Sequence, residues 1–307
     1  MARQAGGIWE NTGGQLVRRL RAWWYGVDLP LHAPPPVPEV VEIVPERVEE
    51  GPLDRLVLAQ RLWGAGFLIP GGAAQIMNLI KPFGVNPAMS LLDLTAGLGG
   101  PSRHVSQTFD VYITGLERVA DTAKRGNKAS ADAGLGRKVP ITAYDPEKTE
   151  LRAHAFDGVY AQYLTVSLGD KERLMRAVMR SLKPRGHFSF VDFVLRDGDA
   201  GDPRLEALRR VEREPLLPWR LQQYTDCLTQ AGFDCRISVD ETALFKAQVL
   251  QGWEQFLKTQ NLRALPKHHL PVVLEEAELW LMRLQAIERG VLGVYRFYAV
   301  STQSGVS

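Results

Sequence analysis

The sequence predicts a doubly wound α/β fold: a mostly parallel sheet of about seven strands whose last strand is antiparallel, with a helical lid insertion. Three observations carry this. Short apolar runs alternate with helix-length amphipathic segments from about residue 90 onward, as parallel strands with crossover helices require. One of these runs ends in a glycine-rich turn that leads straight into a helix. A final apolar run follows two consecutive helical patterns, which places a closing strand against the sheet edge.

Taken in order, residues 15–27 put Leu16, Leu20, Trp23, Trp24 and Val27 on one helical face, with Arg18, Arg19 and Arg21 mostly off it. Residues 1–28 therefore read as a basic amphipathic helix suited to a membrane surface or a protein partner. Residues 29–51 hold Pro30, Pro34 to Pro36, Pro38 and Pro45 among glutamates and read as an extended linker that cannot build a core. From residue 52 the pattern becomes that of a folded domain running to residue 307. A helix is expected from Leu53 to about Trp63; Gly64, Gly66, Pro70, Gly71 and Gly72 break it, and a second helix spans roughly residues 74–80.

The predicted strands cover residues 90–94, 111–116, 139–143, 158–161 and 187–193, with a clear helix at 171–182 before the fifth. In the tail, residues 221–231 read as helix, 233–239 as strand, 243–259 and 272–289 as amphipathic helices, and 291–300 as the last strand. The helical insertion thus occupies about residues 241–290.

Composition narrows the function classes. The chain has 307 residues, is 45% hydrophobic and carries 37 basic against 35 acidic side chains, so its net charge of +2 gives no reason to expect a nucleic-acid partner. No apolar run approaches the ~20 residues a membrane-spanning helix needs. Two cysteines, Cys227 and Cys235, and no secretory leader pattern suggest a cytoplasmic protein, peripheral at a membrane if its first helix docks there. His268 and His269 stand beside Pro266 and Lys267 in what reads as an exposed loop, so no metal site is expected.

Residues 93–100, Asp-Leu-Thr-Ala-Gly-Leu-Gly-Gly, join an apolar strand to a helix. Glycine permits a tight turn and close approach of a ligand, and a helix N-terminus offers free N–H groups. A nucleoside-bearing ligand fits such a turn, although glycine turns also serve dinucleotides or simple packing. Glu117 at the end of the second strand can accept two ribose hydroxyls, which suits either cofactor class. Tyr144-Asp145 ends the third strand where an adenine would lie, Phe156-Asp157-Gly158-Val159-Tyr160 leads the fourth, and Leu182-Lys183-Pro184-Arg185-Gly186 turns a helix into the fifth. A nicotinamide-dependent oxidoreductase would not be expected to have all three.

From about Trp63 to Val300 the chain resembles the small-molecule branch of class I S-adenosylmethionine-dependent methyltransferases, the enzymes that act on phosphoethanolamine, sarcosine, sterols or lipid acyl chains. Leu62 to Gly72 looks like the lid segment that precedes their core, residues 93–100 with Pro101-Ser102-Arg103 like their cofactor loop, and residues 182–186 like their Leu-Lys-Pro-Gly-Gly turn. The resemblance implies S-adenosylmethionine as cofactor and a small-molecule or lipid-related acceptor. It implies that Gly97 and Gly99 pass the methionine moiety, that Glu117 holds the ribose, that Asp145 binds the adenine amino group and that Gln162 lies beneath the sulfonium. Asp93 orients the loop; Thr95, Ala96, Arg118 and Tyr144 complete the cofactor set. Trp63, Phe67, Tyr163, Trp219 and Trp253 are expected to line the acceptor pocket, and no catalytic acid or base is assigned.

Two departures bear on activity. Thr95 stands where the family loop has its first glycine, and Ala96 at its neighbour; a β-branched residue is awkward if that position needs a positive φ or close backbone approach, so a loose cofactor is expected. The lid position is Phe67 rather than tyrosine, and residues 163–168 hold no histidine, so the acid–base pair of the phosphoethanolamine enzymes is missing. Methyl transfer is the leading expectation, and a non-catalytic scaffold or ligand sensor is the alternative.

Overall fold

The computed structural model describes residues 53–198, 201–260 and 265–303. The amphipathic helix and the linker expected over residues 1–51 lie outside the described residues.

Asp54 accepts a hydrogen bond from the Val57 N–H and starts α1 (Arg55–Trp63). After a glycine-rich segment, α2 (Gly72–Ile80) leads to β1 (Ser90–Asp93). The alternation then runs α3 (Gly100–Phe109), β2 (Tyr112–Glu117), α4 (Ala120–Asp132), β3 (Ile141–Ala143), β4 (Phe156–Gln162), α5 (Lys171–Ser181) and β5 (Leu182–Leu195). The last part holds α6 (Glu206–Val211), β6 (Trp219–Arg220), α7 (Leu221–Gln230), β7 (Phe233–Asp240), α8 (Thr242–Thr259), α9 (Leu270–Glu288) and β8 (Leu292–Ser301).

The strands form one sheet in the order β3-β2-β1-β4-β5-β8-β7, with β6 paired to β5. Neighbours from β3 to β5 are parallel, and β8 runs antiparallel to both β5 and β7. Strand order reverses between β1 and β4, and an open α/β sheet binds its ligand at such a switch point, outside the carboxyl ends of the strands. Phe188, Phe190 and Phe297 on the sheet pack with Tyr224, Leu174 and Val178 from the helices in the main core.

Two expectations need correcting. Among the described residues the sheet has eight strands rather than seven, because the two-residue β6 is too short to leave a periodic signal. The fifth strand begins at Leu182, not at His187: Leu182 pairs with Phe156, and the ladder resumes at His187 opposite Gly158. Residues 183–186 form a bulge inside the strand, and Arg185 absorbs the extra length with a φ of +58°.

Among the described residues no helix is long and apolar enough to cross a membrane. Both cysteines are free, Cys227 buried and Cys235 partly so.

Candidate active site

The site forms where β1, β2 and β4 end. Asp93, the last residue of β1, is fully buried. One of its carboxylate oxygens accepts the Thr95 N–H at 2.9 Å, and the other accepts the Ser102 hydroxyl at 2.6 Å. Ser102 also lies 3.2 Å from the Tyr160 hydroxyl on β4. Asp93 thus ties the end of β1 to the first turn of α3. Gly97 and Gly99 turn the chain between them with φ of +54° and +82°, a conformation that side-chain-bearing residues adopt only under strain. Thr95 and Ala96 do not have positive φ. The backbone strain expected of a β-branched residue at a positive φ is therefore absent at Thr95, because the left-handed positions fall two and four residues later.

Glu117 reaches back from the end of β2 onto this turn. Its carboxylate accepts the Gly97 N–H at 3.0 Å and the Val119 N–H at 2.9 Å. Partial burial raises its pKa, against the pull of those two N–H donors. Two donors do not exhaust a carboxylate, which has about four lone-pair sites, so a diol can still be held there. Arg118 beside it points away, to the Ser167 hydroxyl at 2.8 Å and to Glu214 at 3.3 Å.

Tyr144 is buried beneath the turn and donates its hydroxyl to the Leu94 carbonyl at 2.8 Å. It supports the loop from below. Asp145 is exposed and its carboxylate closes a local turn, accepting the Glu147 N–H at 3.0 Å and pairing with Lys148 at 2.9 Å. Its side chain stands at the surface next to the buried Tyr144. Gln162 is buried at the end of β4, and its backbone N–H donates to the Thr95 hydroxyl oxygen at 3.0 Å.

The segment between α1 and α2 covers this loop. The Gly100 N–H, at the start of α3, donates to the Gly66 carbonyl at 3.1 Å. A Cβ on Gly97 would lie 3.1 Å from Leu68 Cδ1. Neither contact was expected from sequence. The Leu68 contact leaves no pattern at all, whereas Gly126 did leave one. It is a glycine inside α4, and a Cβ there would come within 2.7 Å of the Gly97 carbonyl oxygen, so its absence lets α4 approach the loop.

The expected acceptor-side aromatics divide. Tyr163 follows Gln162 with a φ of +54°, unusual for a bulky residue, and packs against Phe193 at 5.3 Å and Phe245 at 5.7 Å between ring centres. Phe245 continues to Trp280 at 6.2 Å, and Trp280 to Trp63 at 5.0 Å. An aromatic wall thus runs from the end of β4 to the helix that precedes the covering segment. Trp63 and Trp253 are buried, each with an indole N–H that has no partner. Phe67 is buried in the covering segment. Trp219 belongs to another cluster, with the Lys171 ammonium 5.1 Å from its ring centre and Tyr224 5.5 Å away. Among the described residues no ring contact joins it to the wall.

Burial pushes the Asp93 carboxyl up to about 6. It does the same to Asp192, a fully buried β5 residue that accepts the Val166 and Phe193 N–H groups and the Thr165 hydroxyl. In the fold each keeps its proton to about pH 6, whereas the unfolded chain releases it near the ordinary 3.8. The folded state binds more protons between these values, so each group removes stability as pH rises through that window. The stability of the wild type relative to Asp192→Asn should therefore fall by on the order of 2–3 kcal/mol from pH 4 to pH 7 in urea unfolding. A difference that does not change with pH would show that Asp192 titrates alike in both states.

Comparison with known proteins accords with this geometry. The family model described as a methyltransferase domain matches residues 92–190, from β1 into β5. Phosphoethanolamine N-methyltransferase 1 of Arabidopsis thaliana is 24% identical over 192 residues, which is 62% of this chain and 38% of that protein. The chain thus spans well under half of that relative. Among solved structures, phosphoethanolamine N-methyltransferase 2 of Haemonchus contortus in complex with S-adenosyl-L-methionine superposes with a TM-score of 0.71 at 21% identity, covering 81% of this chain and 57% of that one. The [4+2]-cyclase SpnF superposes with a TM-score of 0.65 at 18% identity, covering 81% of this chain and 94% of its own. With the glycine turn, the carboxylate from the end of β2 and the reversed strand order in place, residues 92–190 match the methyltransferase domain model, and the chain has the fold of the class I methyltransferase structures it superposes on.

Proposed function

We propose that this protein transfers a methyl group from S-adenosylmethionine to a small-molecule or lipid-related acceptor. The observation that carries the reading is Glu117: a carboxylate from the end of β2 hydrogen-bonded to Gly97 on the β1 turn, with lone pairs left for a ribose diol. Gly97 and Gly99 bring no side chain of their own to the turn where a bulky sulfonium would pass close, while Leu68 stands against Gly97 and Ile141 and Arg103 against Gly99.

When bound, the cofactor supplies an electrophilic methyl group. The chain's own residues then have two tasks. Glu117 and the Gly97–Gly99 turn hold the nucleoside and methionine ends, Asp145 the adenine amino group, and Gln162 stands at the reacting end with Tyr163. Thr95 and Ala96 shape the turn, and Tyr144 supports it. The wall formed by Tyr163, Phe245, Trp280 and Trp63 orients the acceptor and keeps water out, with Phe67 in the covering segment. Alignment in a dry pocket accounts for most of what an in-line displacement needs. Without a lid tyrosine or a nearby histidine, the acceptor must arrive nucleophilic, as a neutral amine, a thiolate or a carboxylate.

The test is S-adenosylhomocysteine release from S-adenosylmethionine against a panel of amines, thiols, carboxylates and lipid headgroups, with melting temperature followed in parallel. The expected result is a rise in melting temperature with S-adenosylhomocysteine and turnover on at least one acceptor class. Absence of both at millimolar ligand would end this reading.

A second reading is a domain that binds without turnover, as scaffold or sensor. It is favoured by the closed state of the loop, in which the Gly97, Gly100 and Gln162 N–H groups all have partners within the chain. Fold alone does not dictate reaction type. Binding of S-adenosylhomocysteine with no turnover on any acceptor would support this second reading.

The basic amphipathic helix read from residues 1–28 is proposed to dock the protein on a membrane surface or a partner, in a cytoplasmic setting that suits two unpaired cysteines. Removal of residues 1–50 should abolish co-sedimentation with anionic phosphatidylserine vesicles; unchanged co-sedimentation would assign the binding to the folded domain.

A further inference from the structure

The hydrogen bond between Thr95 and Gln162 occupies a particular place in the sheet. The β1–β4 ladder pairs Leu91 with Gly158, Leu92 with Val159 and Asp93 with Tyr160. One bond continues it past the end of β1, from the Leu94 N–H to the Tyr160 carbonyl at 3.0 Å. Beyond that point β1 turns away into the glycine loop. The next donor on this side of β4 is the Gln162 N–H, and the hydroxyl oxygen of Thr95 accepts it at 3.0 Å. A side chain thus extends the ladder by one step after the backbone has left it.

Thr95 is held from its other side as well. Its N–H donates to Asp93 at 2.9 Å, and its hydroxyl lies 3.4 Å from the same carboxylate oxygen, placed to donate while it accepts from Gln162. Asp93 is in turn anchored to Ser102 on α3. A continuous chain therefore runs from the first turn of α3 through Asp93 and Thr95 to the end of β4. It crosses the switch point of the sheet. Thr95 carries no backbone strain, since its φ is not positive. Glycine at this position could make neither side-chain bond.

We propose that Thr95 is a positioning residue: its hydroxyl latches the cofactor turn of β1 to the end of β4 and fixes the crevice before cofactor arrives. This rests on the methyltransferase reading for its purpose but not for its geometry. It also reverses the expectation that threonine loosens the site. A turn tied at both ends loses less freedom on binding, so the latch strengthens cofactor binding. On this proposal the same bond fixes the backbone entry into Tyr163, whose own N–H is held by the Val191 carbonyl at 2.7 Å.

The test uses the full chain and four variants: Thr95→Ser, Thr95→Val, Thr95→Ala and Thr95→Gly. Valine keeps the shape and removes the hydroxyl; serine keeps the hydroxyl. Amide hydrogen exchange without ligand reads the latch directly. The Gln162 amide should exchange about tenfold faster in Thr95→Val and Thr95→Gly, the usual worth of one lost hydrogen bond, and near the wild-type rate in Thr95→Ser. Calorimetry with S-adenosylhomocysteine should show about tenfold weaker binding for the valine, alanine and glycine variants and little change for serine. An unchanged Gln162 exchange rate in Thr95→Val would overturn the latch, and so would a glycine variant that binds S-adenosylhomocysteine as tightly as the wild type or tighter. If the wild type binds no S-adenosylhomocysteine, the methyltransferase reading fails with it, and the exchange rates alone then decide the latch.

Discussion

Glu117→Ala is expected to abolish the rise in melting temperature that S-adenosylhomocysteine produces and to weaken its binding by at least about a hundredfold. Each hydrogen bond to a charged group is worth roughly 1.5–3 kcal/mol, and a ribose diol makes two. The variant also frees the Gly97 and Val119 N–H groups, so the turn loses its anchor as well as its ligand contact. The fold should survive. Burial already disfavours the Glu117 charge, and its removal offsets part of the loss. Glu117→Gln separates the two roles, since an amide oxygen can accept one N–H but cannot serve both partners and a diol. Its affinity should fall between wild type and alanine. Calorimetry giving wild-type affinity for the alanine variant would remove Glu117 from the cofactor site.

Gly100→Ala should have the largest effect on the closed state of the site. A Cβ at this position would lie 2.5 Å from the Gly66 carbonyl carbon and 2.6 Å from its oxygen. Both are backbone atoms, so no side chain can swing aside to make room. The covering segment must move off α3, giving up the Gly100 to Gly66 hydrogen bond and exposing the turn beneath Leu68. Overpacking of this kind costs roughly 1–3 kcal/mol, which for a domain of this size lowers the melting temperature by about 3–10 °C. The distinguishing readout is local: limited proteolysis should cut between residues 64 and 71 at a faster rate than in the wild type. If the melting temperature falls while cleavage of that segment is unchanged, the strain has been absorbed in α3 and the segment stays in place.

Much of this site was legible in the sequence because its elements are local. The turn from β1 into α3 was visible because a strand, two glycines in the left-handed region and a helix N-terminus follow one another within ten residues. Glu117 was visible because a short parallel crossover brings the next strand end beside the first at a nearly fixed separation. The helices of the insertion were visible because each buries one face, and a 3.6-residue period survives in the chain. The short β6 was not, since two residues carry no period. Nor could the aromatic period separate Trp219 from the other pocket candidates, because a ring that packs under a lysine and one that lines a cleft have the same spacing.

The sequence by itself determined the type of fold, the position of the glycine turn and the carboxylate that faces it, all set by residues near one another along the chain. The tertiary structure decided what closes and fixes the turn: Gly66 on Gly100, Leu68 over Gly97 and, between residues 67 positions apart, the Thr95 hydroxyl on the Gln162 N–H. It also decided that Thr95 has no positive φ, so the backbone strain the sequence suggested there is absent. The reason is physical. A hydrogen-bonding side chain declares its capacity in the sequence, but which donor it meets depends on where the strands end, and strand order is fixed only when the whole sheet assembles.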